Sequence, residues 1–69
     1  MNNITNIVVE NQKGEHGTQG SSTVEINYSN GSWRCVEALF TVDDLTDVNT
    51  VLLDNGEDEI TEDIQVVYH

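Results

Sequence analysis

Cys35, His16 and His69 are the side chains from which a nucleophile and its base would be assembled, and thirteen carboxylates offer many pairs for acid–base work. Neither set is spaced for catalysis. Cys35 falls at an alternating apolar position of an expected strand, where cysteine behaves as an inert small hydrophobe. His16 lies in a glycine-rich stretch and His69 is the last residue. With Cys35 they offer fewer ligands than a structural zinc site needs. There is no serine elbow, phosphate-binding glycine loop or His-Glu zinc motif. A chain this small rarely forms a deep pocket. The expectation is a non-enzymatic protein with no catalytic residues and no cofactor.

Calcium is the other chemistry to weigh. Asp54-Asn55-Gly56-Glu57-Asp58-Glu59 has the composition of a calcium loop but not its order. The EF-hand pattern requires glycine at the sixth loop position and glutamate at the twelfth. Counted from Asp54, those positions hold Glu59 and Gln65; counted from Asp47, the sixth is Leu52. Weak surface binding of divalent cations is expected, and no specific metal site.

The carboxylates matter more as a field than as catalysts. Residues 1–34 carry three acids (Glu10, Glu15, Glu25) and two bases (Lys13, Arg34), a net of -1. Residues 35–69 carry the other ten acids and no lysine or arginine, which completes the total of -11. A solubilising surface usually intersperses both signs, because a one-sided field costs stability through self-repulsion. The simplest reading of the excess is a solvated face; the sharper one is a docking surface for a basic partner. On that reading the contact residues are Asp43, Asp44, Asp47, Glu57, Asp58, Glu59, Glu62 and Asp63. Direct nucleic-acid binding is not expected, since no basic patch exists to neutralise phosphates. Anionic membranes should repel the chain as well. A compact chain of this length is about 28 Å across. That distance spans roughly eight phosphates of one DNA strand, close to the number of clustered acids.

These residues must be positioned by a small sheet and one helix. Residues 3–10 read as a strand with Ile4, Ile7, Val8 and Val9, either covered on both sides or bulged. Residues 11–21 hold three of the five glycines and read as a loop. Residues 22–28 alternate, with Val24, Ile26 and Tyr28 on one face. Asn30-Gly31 then predicts a two-residue type I′ hairpin, which pairs Tyr28 with Trp33 and Ile26 with Cys35. The core face becomes Val24, Ile26, Tyr28, Trp33 and Cys35. Arg34 then shares the opposite face with Glu25, within ion-pairing reach. Thr41 is the expected N-cap of a helix over 42–53, with Asp43 and Asp44 in its first turn. Leu45, Val48 and Leu52 give the helical stripe, although 51–53 also suit a strand. Residues 57–63 are an acidic connector and 64–68 a last strand. The order β-β-β-α-β predicts an α+β fold, one short helix on a small, mainly antiparallel sheet.

Length and composition set the frame. Residues 1–69 are expected to form a single small acidic domain with a thin core rich in valine and isoleucine. The lone cysteine, and an N-terminus without basic start or apolar run, point to a reducing compartment. A reducing compartment means the cytoplasm. In size, acidity and lack of catalytic motifs the chain resembles the small inhibitors that phages and mobile elements encode, among them DNA mimics and anti-CRISPR proteins. The resemblance is compositional and carries no residue assignments. It implies a partner protein with a basic, nucleic-acid-binding surface. The alternative is an assembly module, such as a homodimer, joined through its aromatic residues or a strand edge while the acids stay solvated.

Overall fold

The computed structural model describes residues 3–17 and 19–69. Its elements are strands β1 (Ile4–Gln12), β2 (Ser21–Tyr28) and β3 (Trp33–Ala38), helix α1 (Leu45–Asp54) and strand β4 (Gln65–Tyr68). The fold is α+β in the expected order. The strands make one sheet in the order β3-β2-β1-β4. β1 pairs antiparallel with β2, β2 antiparallel with β3, and β1 parallel with β4. β3 and β4 therefore run the same way, and α1 carries the chain between them past two intervening strands. The helix lies over one sheet face, and the other face has no covering element among the described residues.

The buried side chains explain this arrangement. Ile7 and Val9 of β1, Val24 and Ile26 of β2, and Val36 and Ala38 of β3 face the helix. Val48, Val51 and Leu52 of α1 close on them, with Val42 and Ile60 sealing the ends. A register shift between Ile4 and Asn6 marks a bulge. It lets Ile4 and Ile7 both pack on the core despite their odd spacing in the strand. Residues 51–53 are helical, because Val51 and Leu52 sit one turn on from Val48 on the buried side.

Three local expectations are corrected. The hairpin is not a two-residue type I′ loop. The N–H of Gly31 donates to the Tyr28 carbonyl (3.0 Å) and the N–H of Tyr28 to the Ser32 carbonyl (2.9 Å). Gly31 alone takes a positive φ, 85°, as the αL residue after a turn over Ser29 and Asn30. This three-residue loop moves the register by one, so Trp33 pairs with Asn27, Cys35 with Glu25, and Val36 with Val24. A one-residue shift sends each side chain to the other face. Trp33 (64% exposed) and Cys35 thus leave the core, and Val36 and Ala38 enter it. Arg34 moves to the helix side, away from Glu25. Second, the helix begins at Leu45 and Asp44 is its N-cap, in place of Thr41. Third, the first strand runs on to Gln12 and the second begins at Ser21, each longer than expected.

Gly31 is the residue on which the register turns. An L side chain in αL costs about 1–2 kcal/mol. Open space surrounds the position, so no steric clash is added. Gly31→Ala is expected to lower stability by about 1–2 kcal/mol in a urea titration monitored by Trp33 fluorescence. A loss below ~0.3 kcal/mol would mean the loop tolerates another geometry.

Candidate functional site

The eight acids fall into two groups at opposite ends of α1. The first is built by the helix start. Asp44 accepts the N–H of Asp47 (2.9 Å), and the Asp47 carboxylate accepts the N–H of Asp43 (3.1 Å). The first bond satisfies an N–H that the helix start leaves open, the second ties down the residue before the cap, and negative charge there is favoured by the helix dipole. Tyr68, at the end of β4, lies beside this group. Its phenol pKa is raised above 10.0, first by burial and then by the charges of Asp44, Asp47 and Asp43. The parallel pairing of β4 with β1 is what brings the strand end to the helix start.

The second group follows the helix. Glu57, Asp58 and Glu59 line a cleft of about 400 Å³ together with Ile4, Ile60 and Ile64. Ile60 is fixed by Asn49, whose side chain accepts its N–H (2.8 Å) and donates to its carbonyl (3.0 Å). Glu62 and Asp63 are exposed in the turn closed by the Ile64 N–H on the Thr61 carbonyl (3.1 Å). A ten-residue helix, about 15 Å long, separates the two groups. The molecule is longer than a compact sphere of its mass, with extents of 42 × 21 × 20 Å. The expected diameter of about 28 Å therefore does not describe it.

Glu57 has a second task that the sequence did not reveal. Its Oε2 accepts from the Arg34 guanidinium (2.8 Å) and from the Tyr28 hydroxyl (2.8 Å). Burial, then the Glu57 hydrogen bond and charge, raise the Tyr28 pKa above 10.0, while Arg34 opposes them. Arg34 also donates to the Asn55 carbonyl at the helix C-cap (3.2 Å). Glu57 thus ties β2, β3 and the end of α1 together. Among the described residues, no other acid of the 43–63 segment meets a base. Asp43, Asp44, Asp54, Asp58, Glu59, Glu62 and Asp63 are exposed.

The described residues contain no cluster of three or more His, Cys, Asp or Glu side chains placed to hold a metal ion. Among them no helix is long and apolar enough to cross a membrane. Tyr28 and Trp33, expected as a cross-strand pair, lie on opposite faces: Tyr28 reaches Glu57 on the helix side and Trp33 stands on the open side.

Fold and surface together define a small α+β domain whose exterior is acidic at both ends of its helix. Comparison with known proteins finds no matching family model, no matching curated protein and no matching solved structure.

Proposed function

We propose that this is a non-enzymatic binding protein that occupies a basic, nucleic-acid-binding surface of a partner protein, in the manner of small phage or mobile-element inhibitors such as DNA mimics and anti-CRISPR proteins. The observation that carries the reading is the set of seven exposed acids between Asp43 and Asp63 with no base against them among the described residues. Their two groups act as separate contact points about 15 Å apart, roughly four phosphate spacings of one DNA strand. Opposite charge steers such an encounter, so association is fast and falls steeply with salt. The same reading puts the protein in the cytoplasm of a bacterial or phage-infected cell, where such targets work.

The test is capture from a bacterial lysate at low and high salt with a quadruple variant, Asp58→Lys, Glu59→Lys, Glu62→Lys and Asp63→Lys. Glu57 is left intact because reversing it would set two cations together beside Tyr28. A bound basic protein is expected, released at high salt, with retention by the variant reduced at least tenfold. Equal retention by the variant, with circular dichroism unchanged, ends the proposal. A homo-oligomeric module is the second reading, favoured by the exposure of Trp33 (64%) and Leu39 (82%). Sedimentation separates the two: a module self-associates at both salts and captures nothing.

A further inference from the structure

We propose that the free edge of β3, with the groove between it and α1, is a strand-addition site for an extended segment of a partner protein that alternates aliphatic and basic residues. The inference does not rest on the acidic groups at the helix ends. β3 stands at one edge of the sheet, three strand spacings or about 14 Å from β4 and the turn that carries Glu62 and Asp63.

The backbone supplies the first argument. In an antiparallel ladder, alternate residues turn their N–H and C=O groups to the neighbour. The bond from Tyr28 to Ser32 sets the phase. Arg34, Val36 and Ala38 therefore bond to β2, and Trp33, Cys35 and Glu37 turn their groups to the free edge. Natural edges are usually guarded by proline, a bulge or an inward lysine. This edge has no proline and no register shift, and its one cation, Arg34, is held by Glu57.

The side chains supply the occupant. Toward the helix, a groove of about 280 Å³ is lined by Ala38, Phe40 and Val51. Aliphatic side chains of an added strand fit there. Toward the open face, the register sets Glu10, Glu25 and Glu37 on one surface with no lysine or arginine in its strand positions. Trp33, 64% exposed, stands at the start of the same edge. Basic side chains of the added strand would meet Glu37 on the edge, Glu25 one strand in and the face of the indole, while Glu10 adds to the field from β1. Strand addition of this kind draws affinity from main-chain bonds and selectivity from alternate side chains. A second copy of this chain would bring its own glutamates against Glu25 and Glu37.

The test uses the whole chain, isotope-labelled, and acetylated hexapeptides of three kinds. One alternates lysine and valine, one alternates glutamate and valine, and one is the lysine–valine peptide N-methylated at alternate amides, made in both phases. The lysine–valine peptide is expected to slow amide exchange of Trp33, Cys35 and Glu37 at least tenfold at saturation. One phase of N-methylation is expected to abolish this and the other to spare it. The glutamate–valine peptide is expected to give no protection, and Glu37→Lys to weaken binding at least tenfold. Unchanged exchange at the three amides in millimolar peptide overturns the proposal, as does indifference to both methylation phases. Protection of the same amides in free protein that sediments as a dimer also overturns it, since a second copy then fills the edge. Glu62→Lys with Asp63→Lys is expected to leave peptide binding unchanged while weakening lysate capture, so the two readings fail separately.

Discussion

Leu52→Ala is expected to lower the thermal unfolding midpoint by about 12–24 °C. Leu52 is fully buried at the centre of the helix face that meets the sheet, inside a cluster that includes Val48, Val51, Val24 and Ile26. Truncating a buried leucine costs the lost transfer free energy plus a cavity term, about 3 kcal/mol in a typical site and up to ~5. A core this small supplies about 3–5 kcal/mol of net stability, so most of it goes with the one side chain. Near this chain length each kcal/mol moves the midpoint by about 4–8 °C. Melts followed by circular dichroism in moderate salt are the measurement, because screening removes the part of the change due to self-repulsion. A fall of less than ~5 °C would show that α1 is not docked on the sheet through Leu52.

Asn11→Ala is expected to cost about 2 kcal/mol, and Ser22→Ala about 1–2 kcal/mol, with the double variant costing more than the sum. The reason is a polar cluster under the 40–42 segment. The Asn11 amide donates to the Val42 carbonyl (3.0 Å), and its oxygen accepts the Val42 N–H (3.1 Å). The Ser22 hydroxyl contacts both the Asn11 oxygen and the Phe40 carbonyl (2.9 Å), and its oxygen also receives the Val42 N–H (3.1 Å). Val42 is fully buried, so its backbone groups have no water to turn to. Losing Asn11 leaves the Val42 carbonyl without a partner, and losing both side chains orphans the N–H as well. Urea titrations of the three variants form the cycle. Additivity within ~0.3 kcal/mol would mean that the two side chains do not act as a unit.

The elements were legible because their patterns have physical periods. Val24 and Ile26 alternate, as a half-buried strand must, and both are fully buried. Val48 and Leu52 repeat at helical spacing and both meet the sheet. The helix start was shifted because Thr41, Asp43 and Asp44 are all competent caps. Asp44 takes the role because Asp47, three residues on, can return the bond to the Asp43 N–H. Asn30-Gly31 was legible as a turn, but the dipeptide serves two turn types that differ by one residue. The turn chemistry cannot choose between them. Burial of Val36 and Ala38 against the helix chooses, since the two-residue loop would set Glu37 opposite the buried Val24 as an unpaired charge in the core.

The acidic surface was legible as charge and not as geometry. Composition shows ten acids without a base in residues 35–69, and that count survives any fold. Separating Asp43, Asp44 and Asp47 from the 57–63 group needs the direction of α1. Removing Glu57 from the exposed set needs Arg34, distant in sequence and brought close by the crossover from β3 to β4. The open face and the free β3 edge follow from the strand order β3-β2-β1-β4, which pairwise patterns do not contain.

By itself the sequence determined what is local or additive: which segments extend or coil, how much charge the surface must bear, and which side chains are too apolar to leave in water. Tertiary structure alone decided register, strand order and which carboxylates find a partner. These depend on contacts between residues far apart in the chain, where one residue of slip reverses a face and one crossover pairs an acid with a base.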